Sequence, residues 1–190
     1  MKKIFWCIVV ALIFVAENFA LDCVEGYWKS YDKKNVSGYW QIYEKDGLLF
    51  GRCLLAVDMP VDVTLYRCKR NYKTHPMMCD NFSNLYRADV PLIFNLRKKS
   101  DGVWENGNII DARNGHLYTC EISYKKANGK KFTEDVLAVR GQIAPGLGMT
   151  LYWKKSNANE INEAIKTHAQ KYGGNFARNN LEYFLIKEKN

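Results

Sequence analysis

The chain has 190 residues, 14% of them aromatic, and carries 28 Lys and Arg against 20 Asp and Glu for a net charge of +8. Length and apolar content suffice for one domain with a real core. The positive surplus would suit nucleic acid, but an export signal at the N-terminus argues against that partner.

That signal reads MKKIFWCIVVALIFVAENFALDC. Lys2 and Lys3 precede an apolar run over residues 4–16, which Glu17 and Asn18 break. The run is short of the roughly 20 apolar residues that a bilayer helix needs, so it predicts a secretory signal peptide over 1–20, cut after Ala20. An uncleaved anchor is the alternative. The mature chain is then expected in the periplasm or outside the cell, without a transmembrane span. Lipid attachment at Cys23 would require a small residue before it, and Asp22 stands there instead. Loss of Lys2, Lys3 and Glu17 leaves a net charge of +7.

Export places Cys23, Cys53, Cys68, Cys79 and Cys120 in an oxidising compartment, where an odd number leaves at least one unpaired within the chain. Cys68 and Cys79 flank the polar stretch CKRNYKTHPMMC and are the candidates for a local disulfide, with free thiols as the alternative. His75 lies between them, but two cysteines and one histidine lack a fourth ligand, so no metal is expected.

Short aromatic and β-branched runs follow at 24–31, 36–43, 47–57, 61–68, 92–98, 103–110, 115–124, 132–141 and 147–155. Turn residues separate them, among them Asp46-Gly47 and Asn114-Gly115, which supply the positive φ of tight hairpins. Strands at this spacing without helices between them predict an antiparallel sandwich or barrel. Residues 69–91 do not alternate and read as a long loop or lid. GYW at 26–28 and LYW at 151–153 would be neighbours in a closed barrel, which removes exposed edges. Beyond 156 the period changes. Ile161, Ala164, Ile165, His168 and Ala169 share one helical face, and Gly173-Gly174 ends the run. The expected organisation is a β domain over 21–155, with a helix and tail over 156–190 packed on it; LEYFLIK at 181–187 packs on the barrel or extends the sheet.

WENGNIIDARNGHLY at 104–118 concentrates polar and aromatic groups, and reads as a hairpin turning at 111–115. Tyr118, Cys120, Ile122 and Tyr124 alternate with Thr119, Glu121 and Ser123, the period of a half-buried strand. Gly107 marks a bulge or a close approach by a side chain such as Trp104 or Tyr118. As an acid–base pair, Glu105 and Asp111 would stand roughly 20 Å apart on one strand, beyond the roughly 5–9.5 Å of carboxylate hydrolases. His116 beside the turn is expected to be solvated. No nucleophile elbow, phosphate loop or zinc-protease helix occurs.

The ordered set Trp104-x-x-Gly107-x-Ile109-x-Asp111-x-x-x-Gly115-x-x-Tyr118 resembles the signature of a family of uncharacterised secreted bacterial domains. Gly26-Tyr27-Trp28, Gly38, Asp46-Gly47 and Phe50-Gly51 precede it in matching order. Leu137-x-Val139-Arg140-Gly141 and Gly148-x-Thr150-x-x-Trp153 follow, so the resemblance spans about residues 25–155. It implies a closed or nearly closed antiparallel lipocalin-like barrel of about eight strands, and export, with no activity attached. The family's Asp- and Pro-rich, Arg-containing middle is replaced here by the Cys68–Cys79 region.

Trp28, Trp40, Trp104, Trp153, Tyr118 and Tyr152 either line a ligand cavity or form the packed core, and the core is the preferred reading because aromatics dominate β interiors. Arg140 shares a face with Val136 and Ala138. If it points inward it requires a partner such as Asp111, Glu105 or a tryptophan face, closing one barrel end, or it clamps an anionic headgroup. Gly141 follows it in the Val-Arg-Gly motif. Lys33-Lys34, Arg97-Lys98-Lys99, Lys125-Lys126 and Lys130-Lys131 gather charge at turns, which keeps the protein soluble or touches an anionic envelope surface. The leading functional expectation is a non-enzymatic envelope protein, without cofactor, that binds a small apolar or amphipathic ligand. A solid-barrel interaction module is the second reading, and an enzyme acting on envelope material a distant third.

Overall fold

Alternation of large apolar with polar side chains dominates the first two-thirds of the chain, and the strands follow from it. The computed structural model describes residues 23–187, so the expected signal peptide lies outside the described residues. Eight strands, β1 (Gly26–Asp32), β2 (Asn35–Lys45), β3 (Leu48–Ala56), β4 (Pro91–Ser100), β5 (Val103–Asp111), β6 (His116–Lys125), β7 (Val136–Ala144) and β8 (Leu147–Ser156), form a closed antiparallel barrel. Each strand pairs with the next, and β1 meets β8 through Tyr27–Ser156, Trp28–Lys155 and Lys29–Lys154. The first and last aromatic strands are therefore neighbours, as their shared motif predicts.

Inward positions build one core: Trp28, Ile42, Leu49, Ile93, Leu96, Trp104, Cys120, Ile122, Leu137, Val139 and Trp153, plugged at one end by Val24. Trp28 Nε1 donates to the Val24 carbonyl at 2.8 Å, which ties the plug to the first strand. Two local devices keep this face consistent. Asn95 and Asn106 take positive φ, 59° and 60°, at irregular points of β4 and β5. Beside Asn106, Gly107 leaves room for Leu96, whose Cγ would lie 2.4 Å from any added Cβ. Close approach at Gly107 is thus real, but the neighbour is Leu96 of β4 and not Trp104 or Tyr118.

Two further apolar layers cover the barrel from outside. Phe50, Leu92, Phe94 and Ile110 alternate with inward residues and pack against Leu65, Cys68, Tyr72, Phe82 and Val90 of the β3–β4 connection. The expected strand over 61–68 does not form. Its buried residues, Val61, Leu65 and Cys68, recur every three or four positions, and turns such as Cys68 N–H to Leu65 carbonyl at 2.7 Å coil the segment. A single bridge joins Thr64 to Tyr86. The seventh strand also begins later than its apolar pattern suggests, because Asn128 organises a turn through the Lys130 and Phe132 amides.

Cys68 and Cys79 carry free thiols, as do Cys53 and Cys120, so the expected disulfide is not present. The connection has a core of its own instead. Tyr72 stacks on Phe82 at 5.2 Å, His75 packs edge-on to Phe82 and Phe94, and Cys68 is buried in the same cluster.

Helix α1 (Ala158–Tyr172) begins at Asn157, whose side chain accepts the Glu160 amide at 2.8 Å. It buries Ile161, Ile165, His168 and Ala169 with Tyr39, Leu54, Leu55 and Val61, the face that its periodicity predicts. Lys29 of β1 bonds to Glu160 at 2.7 Å and locks the helix start to the barrel. A short helix α2 (Asn175–Asn179) and a 3-10 turn (Leu181–Tyr183) follow, and Phe184 joins the same layer, so the tail packs on the barrel and does not extend the sheet.

Candidate functional site

The inner row of β8 is Leu147, Met149, Leu151 and Trp153 by alternation. Trp153 is 2% exposed, yet Leu151, Met149 and Leu147 are 42%, 68% and 64% exposed. The cause is the seam of the barrel. On one side β8 pairs with β7 along its whole length, Val136–Lys154 to Ala144–Leu147. On the other, β1 shifts register at Ser30/Tyr31 and turns into β2 after Asp32, so among the described residues no strand pairs with that side of β8 before Lys154. Leu147, Met149 and Leu151 therefore lack the neighbouring strand that would cover them.

Across the sheet from this row lie Gly141, opposite Met149, and Val139, opposite Leu151. Gly141 has no side chain, and the nearest group to its would-be Cβ is Ile109 Cγ2 at 3.6 Å. Tyr118 pairs with Ile109, and both are half-buried. Trp40 is half-buried and stacks on Trp153 with centroids 4.8 Å apart. The result is an apolar, aromatic-floored opening at the β7–β8 turn end of the barrel.

Deeper in, the barrel is filled. Trp28, Trp104 and Trp153 are each no more than 2% exposed and belong to the core, while Tyr152 faces outward. Two concavities, ≈ 350 Å³ beside Glu105, Glu121 and Arg140 and ≈ 430 Å³ beside Tyr27, Lys155 and Asn157, lie on the outer wall.

Arg140 faces outward with Ala138, so it neither closes the barrel nor clamps an anion inside it. Its guanidinium donates to Thr150 Oγ1 at 3.2 Å and the Gly146 carbonyl at 3.5 Å. Asp111 serves its own hairpin. Burial pushes its carboxyl up, but side-chain and backbone hydrogen bonds from Arg113 outweigh that and hold it below the ordinary carboxylate range. Glu105 is engaged by Lys99 at 2.6 Å, so the carboxylates of the catalytic alternative are separately committed. Gly115, at φ 70°, closes the turn, and its carbonyl accepts the Tyr72 hydroxyl at 2.7 Å.

Arg87 has no counterpart among the expected site residues. It lies in a 3-10 turn (Arg87–Asp89) of the β3–β4 connection and is 8% exposed. Its guanidinium donates to Met59 Sδ at 3.0 Å and lies near the buried Cys53 thiol. Arg87 Nε, Trp104 Nε1 and Trp153 Nε1 are buried donors with no acceptor among the described residues. No sequence motif marks Arg87. The β8 row is legible as alternation in LGMTLYW, but its exposure is not.

These features define a lipocalin-like closed barrel with an open seam. The fold is similar to that of a Helicobacter pylori protein, HP1028, described as belonging to the lipocalin family. The two share 15% identity at a TM-score of 0.53, over 74% of this chain and 87% of that one. Comparison with curated proteins gives no significant sequence match. Residues 26–155 match the model of a family described as an uncharacterized protein conserved in bacteria, DUF2147, and the chain belongs to that family.

Proposed function

We propose that this is an exported, non-enzymatic binding protein that takes a small apolar or amphipathic ligand at the open seam and not in an enclosed calyx. The observation that carries this is the inner row of β8, where Leu147, Met149 and Leu151 are 64%, 68% and 42% exposed beside half-buried Trp40 and Tyr118. An apolar row on the inward face of a barrel strand is open to water only at a cost that a bound ligand removes. The N-terminal signal sequence supports an envelope location, and the lipocalin-like fold supports a ligand-binding role.

Native mass spectrometry of mature protein taken from its own host envelope, followed by a denatured intact mass, tests this. A bound species that leaves on denaturation and is lost in Met149→Asp/Leu151→Asp, with the melting temperature retained, is the expected result. A bare chain from the envelope that also takes up no apolar probe would reject it. The filled interior around Trp28, Trp104 and Trp153 would then favour the second reading, an interaction module whose unpaired β8 edge receives a partner strand.

A further inference from the structure

A buried guanidinium is stable only with an anion or a full set of acceptors around it. Arg87 has neither. Its one side-chain acceptor is a neutral sulfur, Met59 Sδ, the nearby Cys53 thiol bonds to the Leu55 carbonyl, and the Arg87 Nε has no acceptor. Burial pushes the Cys53 thiol up to about 11, so it brings no compensating charge. Asp58 is near enough to act on the same thiol, yet it is exposed and forms no ion pair with Arg87. Asp89, two residues on, accepts the Tyr183 hydroxyl instead.

The position of Arg87 gives this deficit a direction. Cys53 is the cross-strand partner of Trp40, on the inward face of β3. Trp40 stacks on Trp153, whose Nε1 is a second donor without an acceptor. Two orphan donors thus flank the half-buried Trp40, and Trp153 continues directly into the exposed Leu151 and Met149. From β3 past β2 and β1 to β8 the wall is three strand spacings, about 14 Å at about 4.8 Å each.

We infer that Arg87 is the anion-recognition residue of the barrel and takes the carboxylate of a linear apolar monocarboxylic acid whose chain runs past Trp40 to the β8 row. This rests on the seam-binding reading above and names its ligand class. One guanidinium in an apolar, sulfur-lined setting matches a monoanion, since a dianion would leave a buried charge uncompensated. Its planar fork suits the two oxygens of a carboxylate.

Dodecanoate and dodecanol, which share a chain and differ in headgroup, separate the two ideas. Each is titrated against the delipidated mature chain, with tryptophan emission as the readout because Trp40 and Trp153 lie on the path. The expected result is dodecanoate binding at least about ten-fold tighter than dodecanol, the scale of a charge-assisted hydrogen bond. In Arg87→Met that preference disappears while dodecanol affinity stays within about two-fold. Equal affinities in the wild-type protein, or a preference that survives Arg87→Met, would overturn the inference and leave the seam reading standing. Binding of neither probe would overturn both. The wild-type comparison decides alone if the variant does not fold.

Discussion

Trp40 and Trp153 stack at 4.8 Å, with planes 28° apart, across the first strand of the barrel that separates their own. The pair sits where that strand stops pairing with the last one, and therefore bridges the seam that hydrogen bonds leave open. It is both a structural clasp and the floor of the opening.

Removing the buried half of that clasp should be costly. Trp153 is 2% exposed, and Trp153→Ala is expected to lose about 3–5 kcal/mol of stability through lost burial and the cavity left behind. Urea unfolding measures it. A loss below about 1 kcal/mol would mean that the seam is held by something other than this stack.

Gly107 gives the opposite test, a residue that must stay small. Gly107→Ala would place a Cβ 2.4 Å from Leu96 Cγ and 2.8 Å from the Leu96 amide nitrogen, so the backbone itself is in the way. Overpacking of this kind costs about 1–3 kcal/mol. Equilibrium unfolding, together with crystallographic inspection of the fourth and fifth strands, would show whether the sheet yields there.

His75 makes the β3–β4 connection acid-sensitive. Its Nε2–H donates to the Pro91 carbonyl at 2.8 Å, and its Nδ1 accepts the Met77 amide at 3.2 Å, so the ring is neutral with both nitrogens used. Burial lowers its pKa from the ordinary 6.5, although the bond to Pro91 acts the other way. Below 6.5 the unfolded chain binds this proton and the folded chain does not, so the contribution is present above that pH and is lost as pH falls toward the depressed value. Hydrogen exchange over residues 65–94 should accelerate as pH drops through this window, after correction for intrinsic rates, and His75→Gln should remove that dependence.

Asp62 ties the tail to the same connection. Its carboxylate accepts the Gly174 amide at 3.0 Å and the Ala177 amide at 3.2 Å, which caps the short second helix from outside. Asp62→Ala should cost about 1 kcal/mol locally. Exchange in 174–184 is expected to rise with the barrel strands unchanged. A uniform rise across the molecule would show instead that the tail and barrel unfold as one unit.

What the amino-acid order determines by itself is local. Period-two alternation, Asp46-Gly47 and Asn114-Gly115 turns and the helical face from Ile161 to Ala169 each depend on neighbours within a few residues, and each is present. Closure between the first and last strands is legible because it reuses one aromatic motif. The missing strand at 61–68 was not, because apolar content there resembles a strand and only the spacing of Val61, Leu65 and Cys68 marks a coiled turn. Tertiary structure alone decided the rest. Arg140 faces outward because the register of the seventh strand puts Leu137 and Val139 inside. Arg87 is buried because a long connection folds back over the barrel, a contact of high sequence separation that no local pattern encodes. The apolar row of the last strand is exposed because its neighbour turns away after three pairs. Burial is a property of what lies across from a residue, and for this barrel the seam, which no single segment contains, sets it.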